Sequence, residues 1–216
     1  MGNSLLQLIA LAAVAVFLIL KLRNTLGTRD GFEGPPSKTR TTGFEPTQEA
    51  QEVRVDRDIT KFVEADSENG RALAQMKEVD NSFSVSDFIE GAGRAYEMIL
   101  VAFVEGKLEE VRPFIIDEVY ESFEDTVAER ETNGVIQIAR FVGLREVKIS
   151  EAKLLNGTNA EVTVEFVGEL ISYAVDDDDN VIEGDDKAVR RQRDVWTFGR
   201  ELGTSNPNWI LMATDG

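Results

Sequence analysis

The chain has 216 residues, with 23 Lys+Arg against 40 Asp+Glu and a formal net charge of −17. That length accommodates one domain with a real core plus appendages, and the charge repels phosphate backbones, which argues against nucleic acid as a partner. Cysteine and histidine are both absent, which removes disulfides, thiolate and imidazole metal sites, and every Ser-His-Asp or Cys-His nucleophile.

Leu5 to Leu20 reads LLQLIALAAVAVFLIL, with Gln7 the only polar residue. As a helix it would be about 24 Å long, and Met1, Leu22 and a snorkelling Lys21 close the gap to a hydrocarbon core of about 30 Å. Leu5, Leu8, Leu11, Val14, Phe17 and Leu20 leave no polar face, unlike a core helix of a soluble domain. A cleaved signal peptide would carry positive charge ahead of its apolar run, yet no Lys or Arg precedes Leu5; Lys21, Arg23, Arg29, Lys38 and Arg40 follow it. Residues 1–23 therefore read as an uncleaved, single-pass anchor in the inner (cytoplasmic) membrane. The positive-inside bias puts the C-terminal part in the cytoplasm.

Residues 24–48 read as a flexible linker, rich in Gly, Pro, Ser and Thr, with Pro35, Pro36 and Pro46 and no apolar periodicity. Such a chain reaches about 25–30 Å. Residues 49–80 read as a charged, partly helical lead-in, with Ala72, Leu73 and Met76 on a short helix that docks on the domain.

Residues 81–216 carry the domain. Ser84 and Asp87 have capping-box-like spacing, Phe88 to Phe103 follows a helical period, and Gly106 suits a left-handed C-cap. Gly91 and Gly93 inside that run suggest close backbone packing. A short helix is expected over Leu108–Phe114 around Pro113, and a third from near Asp117 to Asn133–Gly134. Period-two alternation then starts at Val142 and runs to Leu154; Asn156-Gly157 is a tight-turn signal. A long strand follows from Ala160 to Ala174, then an acidic turn at Asp176–Asn180, a strand over Val189–Phe198 and a last one over Trp209–Ala213. Helices followed by consecutive antiparallel strands make an α+β domain, with helices on one face of a curved sheet and a pocket between them.

Two stretches carry a resemblance: FIEGAGRAYEMILVAFVEGKLEEVRPFI over Phe88–Ile115, and DVWTFGRELGTSNPNWILMAT over Asp194–Thr214, with Trp196, Phe198 and Arg200 followed by Pro207, Asn208 and Trp209. From about Asp80 onward the chain resembles the Tim44-like family, the C-terminal domain of the forty-four-kilodalton subunit of the mitochondrial presequence translocase. Its bacterial relatives typically carry one N-terminal anchor. The resemblance implies a cone-shaped, nuclear-transport-factor-two-like fold of about three helices on a bent antiparallel sheet. It also implies an adaptor role in protein transport, with chaperone and lipid binding. Where the family often has an acid after Trp-x-Phe, this chain has Gly199.

On such a cone, Phe88, Tyr96, Phe103, Tyr120, Phe166, Trp196 and Trp209 are the candidate pocket or partner surface. Tyr96 and Tyr120 have two readings: core packing, or the Tyr of a Tyr–Asp isomerase pocket. Glu161, Glu165 and Glu169 are the acids expected within an apolar strand run, on a solvent face. The Asp176–Asn180 run fails the calcium-loop pattern, since Val181 and Lys187 stand where Gly and Glu are needed. No catalytic residue, metal or cofactor is expected. The sequence thus points to a non-enzymatic, membrane-anchored adaptor that binds a partner protein, a lipid acyl chain or both, in protein translocation or membrane-protein assembly. The alternative is a small-molecule enzyme or ligand sensor on the same cone.

Overall fold

The computed structural model describes residues 56–176 and 178–215. The expected anchor, the linker and the first residues of the lead-in lie outside them. Among the described residues no helix is long and apolar enough to cross a membrane.

Four α-helices, α1 (Arg57–Thr60), α2 (Glu68–Val79), α3 (Val85–Glu105) and α4 (Asp117–Thr132), precede five strands: β1 (Ile136–Leu155), β2 (Asn159–Val175), β3 (Val181–Gly184), β4 (Arg190–Glu201) and β5 (Ile210–Asp215). The strands form one antiparallel sheet in the order β1-β2-β4-β5, with β3 pairing the far end of β2. The α+β plan is as the sequence suggests. α2 and α3 pack on β1, and α4 on β5.

The core lies between α3 and the sheet. Val85, Phe88, Ala92, Tyr96 and Ile99 recur at helical spacing along α3 and are buried. They meet Val162, Val164 and Phe166 of β2 and Trp196 and Phe198 of β4 in one cluster. The lead-in belongs to this core, since Ile59, Leu73 and Met76 are each 3 % exposed or less.

Three boundaries differ from the sequence reading. β1 begins at Ile136, six residues before the predicted start, and Val142 is half exposed. Register shifts at Phe141/Gly143, Leu144/Glu146 and Ile149/Glu151 each insert a bulge, and bulges break the period-two alternation by which a strand is recognised. The expected helix over Leu108–Phe114 is two 3₁₀ turns, Leu108–Glu110 and Arg112–Phe114. Pro113 has no N–H to continue a helical ladder through it. β3 was not foreseen, because its four residues are all exposed and carry no apolar alternation.

The termini of α3 are satisfied by other elements. Asp58 of α1 accepts hydrogen bonds from Val85 N (2.8 Å) and Ser86 N (2.9 Å), and Ser84 Oγ accepts one from Asp87 N (3.2 Å). At the other end Gly106 takes the left-handed conformation (φ 74°), and Arg130 of α4 donates to the carbonyls of Phe103 (2.6 Å) and Val104 (3.3 Å). A carboxylate at the N-terminus and a guanidinium at the C-terminus both complement the helix dipole. The Asn156-Gly157 turn forms as read, both residues at positive φ.

Candidate functional site

The first half of α3 and the end of β4 diverge around the loop that leads into β5. Between them lies a cleft of about 470 Å³. Its aromatic wall is Phe88, Trp209, Phe83 and Phe198, with ring centroids 4.5 Å apart for Phe88–Trp209, 5.7 Å for Phe83–Trp209 and 6.1 Å for Phe88–Phe198. Gly91, Ala92 and Ala95 of α3 also line it, together with Met98 and Phe114. The volume falls in the range of ligand-holding pockets.

The wall is built by the second sequence motif. Arg200 Nη2 meets Asp80 Oδ2 at 2.8 Å, with both side chains about nine-tenths buried, and Arg200 Nε donates to Asn206 O at 3.2 Å. Hydrogen bonds from Ser82 to Asp80, with the nearby Arg200 charge, hold that carboxyl below the usual range against the cost of its burial. The pair ties the turn before α3 to the 201–208 loop. Asn206 Oδ1 then accepts from Asn208 N (3.0 Å), and the turn delivers Trp209 onto Phe88. Gly199 lies under Met212: a Cβ there would stand 2.9 Å from Met212 Cγ, which leaves no room for an acid.

Of the seven candidate residues, the structure brings Phe88 and Trp209 together in the cleft. Tyr96, Phe166 and Trp196 are instead sealed in the core: Tyr96 stacks on Phe166 (4.5 Å, 14°) and tilts against Trp196 (4.9 Å). They sit on the stretch of α3 that faces the middle of the sheet. Phe103 packs with Phe123 beneath the Arg130 guanidinium, and Tyr120 lies under Arg112.

Two further expectations are corrected. Glu169 is not on a solvated face; it is 7 % exposed, held between Arg145 (2.7 Å) and Arg191 (3.1 Å), which lower its pKa. Glu161, Glu165 and Glu169 are also not the whole set of strand acids, because Asp194 of β4 is 6 % exposed. Asp194 Oδ2 accepts from Tyr96 Oη at 2.5 Å, and its Oδ1 from Gln192 Nε2 at 2.9 Å. Burial and the neighbouring carboxylate push the Tyr96 hydroxyl well above its usual value. The carboxylate and hydroxyl are of the types an isomerase pocket uses, but they bond directly to each other and neither lines the cleft. Their position makes a polar bolt between α3 and β4.

Gly91 is the third correction. A Cβ built there meets nothing within 4 Å, so the glycine does not serve internal packing; Gly93, 3.1 Å from Leu144 Cδ1 by the same measure, does.

A family model described as Tim44-like domain matches residues 69–216. No curated protein matches the chain. Among solved structures, the crystal structure of the intermembrane space region of chloroplast protein ARC6 is similar at 14 % identity, covering 57 % of this chain and 94 % of that one, with a TM-score of 0.36.

Proposed function

This chain belongs to the Tim44-like domain family, which suggests a protein-translocation or membrane-associated role, and on that premise we propose that it is a non-enzymatic, membrane-anchored adaptor. Residues 1–23 hold it in the inner membrane, residues 24–48 give reach, and the cytoplasmic domain, a cone of the nuclear-transport-factor-two-like type, captures a partner protein or a lipid acyl chain in its cleft. The observation that carries this reading is the Phe88–Trp209 wall: an aromatic-lined cleft built by the residues of the family motif and supported by a buried ion pair. Large aromatic surfaces left partly open are what binding surfaces present, and Trp is among the commonest hot-spot residues.

The enzyme alternative draws on Tyr96 and Asp194. Both oxygens of that carboxylate already have protein partners, and the pair adjoins no described cavity. General acid–base work needs a group within hydrogen-bond reach of a substrate, so the pair supports a structural role.

The test is affinity capture from solubilised membranes, with the full chain as bait. Trp209→Ala should lose the partner that wild type retains, at matched folded fraction, while Met212→Ala, away from the cleft, keeps it. Retention by Trp209→Ala would place the binding surface elsewhere.

A further inference from the structure

We infer that the cleft takes the apolar face of a basic amphipathic helix, laid along α3 over Gly91 and Ala95. The inference rests on the cleft being the binding surface proposed above and adds the chemistry of its occupant.

Gly91 is the first ground. Glycine in the interior of a helix is unfavourable relative to alanine, and it persists where something needs the missing side chain. Its backbone is not at positive φ, and no atom of the domain comes within 4 Å of where its Cβ would stand. The space that glycine preserves is therefore the cleft itself. With Ala92 and Ala95 it makes a floor of bare backbone and methyl groups, bordered by the Phe88–Trp209 wall and by Met98, which is 39 % exposed. A half-open trough with a small-residue floor and aromatic and methionine borders suits a helix that inserts anchors at i, i+3 or i+4, and i+7.

Charge is the second ground. Three charged side chains line the cleft, and two are neutralised within the domain: Arg94 by Glu90, and Arg200 by Asp80. Asp87 has no ion-pair partner among the described residues. The rim therefore keeps one uncompensated acid, on a chain whose net charge is −17. That field attracts a cationic segment and repels an anionic lipid headgroup.

The experiment uses the full chain in nanodiscs of zwitterionic lipid and follows Trp209 emission, with Trp209→Phe assigning the signal against the buried Trp196. The probes are an 18-residue amphipathic peptide with Leu on one face and Lys on the other, the same peptide with Glu in place of Lys, and phosphatidylglycerol vesicles. The Lys peptide should give a saturable shift that weakens with salt, at least tenfold tighter than the Glu peptide. Gly91→Leu should weaken it at least tenfold while leaving the unfolding midpoint at or above wild type, since the new side chain fills only the cleft. Asp87→Lys should narrow the gap between the two peptides. Equal binding of both peptides, an equal shift from the vesicles, or wild-type affinity in Gly91→Leu overturns the inference. If Trp209→Ala still abolishes capture while the Lys peptide fails, the occupant is wrong and the cleft stands; if neither effect appears, the cleft itself falls.

Discussion

Tyr96 and Asp194 lie 98 positions apart in sequence and 2.5 Å apart in the core. A lone carboxylate there would be costly, whereas one bonded by Tyr96 and Gln192 fixes where α3 sits on β4. Gly168 makes room for the ring, because a Cβ at that position would stand 2.9 Å from Tyr96 Oη. Tyr96→Phe should lower stability by about 1–3 kcal/mol, as it leaves one oxygen of a buried acid unmatched; urea unfolding measures it. The raised Tyr96 pKa also fixes a sign. The folded state holds the proton that the unfolded state releases near the ordinary value of 10.0. Its contribution is complete below that value and lost as pH rises through the folded one. Wild type should therefore weaken in alkali more steeply than Tyr96→Phe. None of this could be read from the sequence. Asp194 follows Arg190, Arg191 and Arg193, so it looks like part of a solvated strand end until Tyr96 is brought opposite. Phe88 and Trp209 were legible, because an apolar helical stripe and a motif tryptophan point inward whatever the partner.

At the level of elements, α3 is the member on which the cleft depends, and its two ends show what local sequence reveals. Ser84 and Gly106 were readable as caps, because both act within a few residues of the helix. Asp58 and Arg130 were not, since each comes from another helix. Burial opposes ionisation of Asp58, but hydrogen bonds from Ser86 and Val85, and from Lys77 at 3.0 Å, outweigh it and hold the carboxyl well below the usual range. A depressed carboxylate stabilises the fold above the ordinary value of 3.8, and that stabilisation is lost as pH falls below it. Asp58→Ala should cost about 1–2 kcal/mol at neutral pH, with a shallower acid limb in denaturant midpoints taken between about pH 5 and about pH 3. Gly91→Ala should act oppositely, raising stability by about 0.5–1 kcal/mol, because the methyl meets open space. A loss would mean that the helix needs the glycine. β1 was half legible: its bulges shift the side-chain alternation at three places, so only the stretch from Val142 onward kept a recognisable period.

For the whole molecule, the functional unit is larger than the family match. That match starts at residue 69, whereas Asp58 caps α3 and Ile59 is buried with the core. A fragment beginning at Arg54 should unfold cooperatively. One beginning at residue 69 should be less stable by about 2–4 kcal/mol, from the lost apolar burial and the lost cap; equal midpoints would show that the lead-in is dispensable. The orientation we propose predicts that a reporter active only outside the cytoplasm stays silent when fused after Gly216. The central claim is that the Phe88–Trp209 cleft is where the molecule meets its partner. A photo-crosslinking residue at Met98, on the border of the cleft, tests it most directly against the same residue at Met212, which is equally exposed but away from it. In intact membranes, position 98 should give a discrete adduct with a polypeptide and position 212 none. An adduct from 212 alone, or the same products from both, would contradict the account.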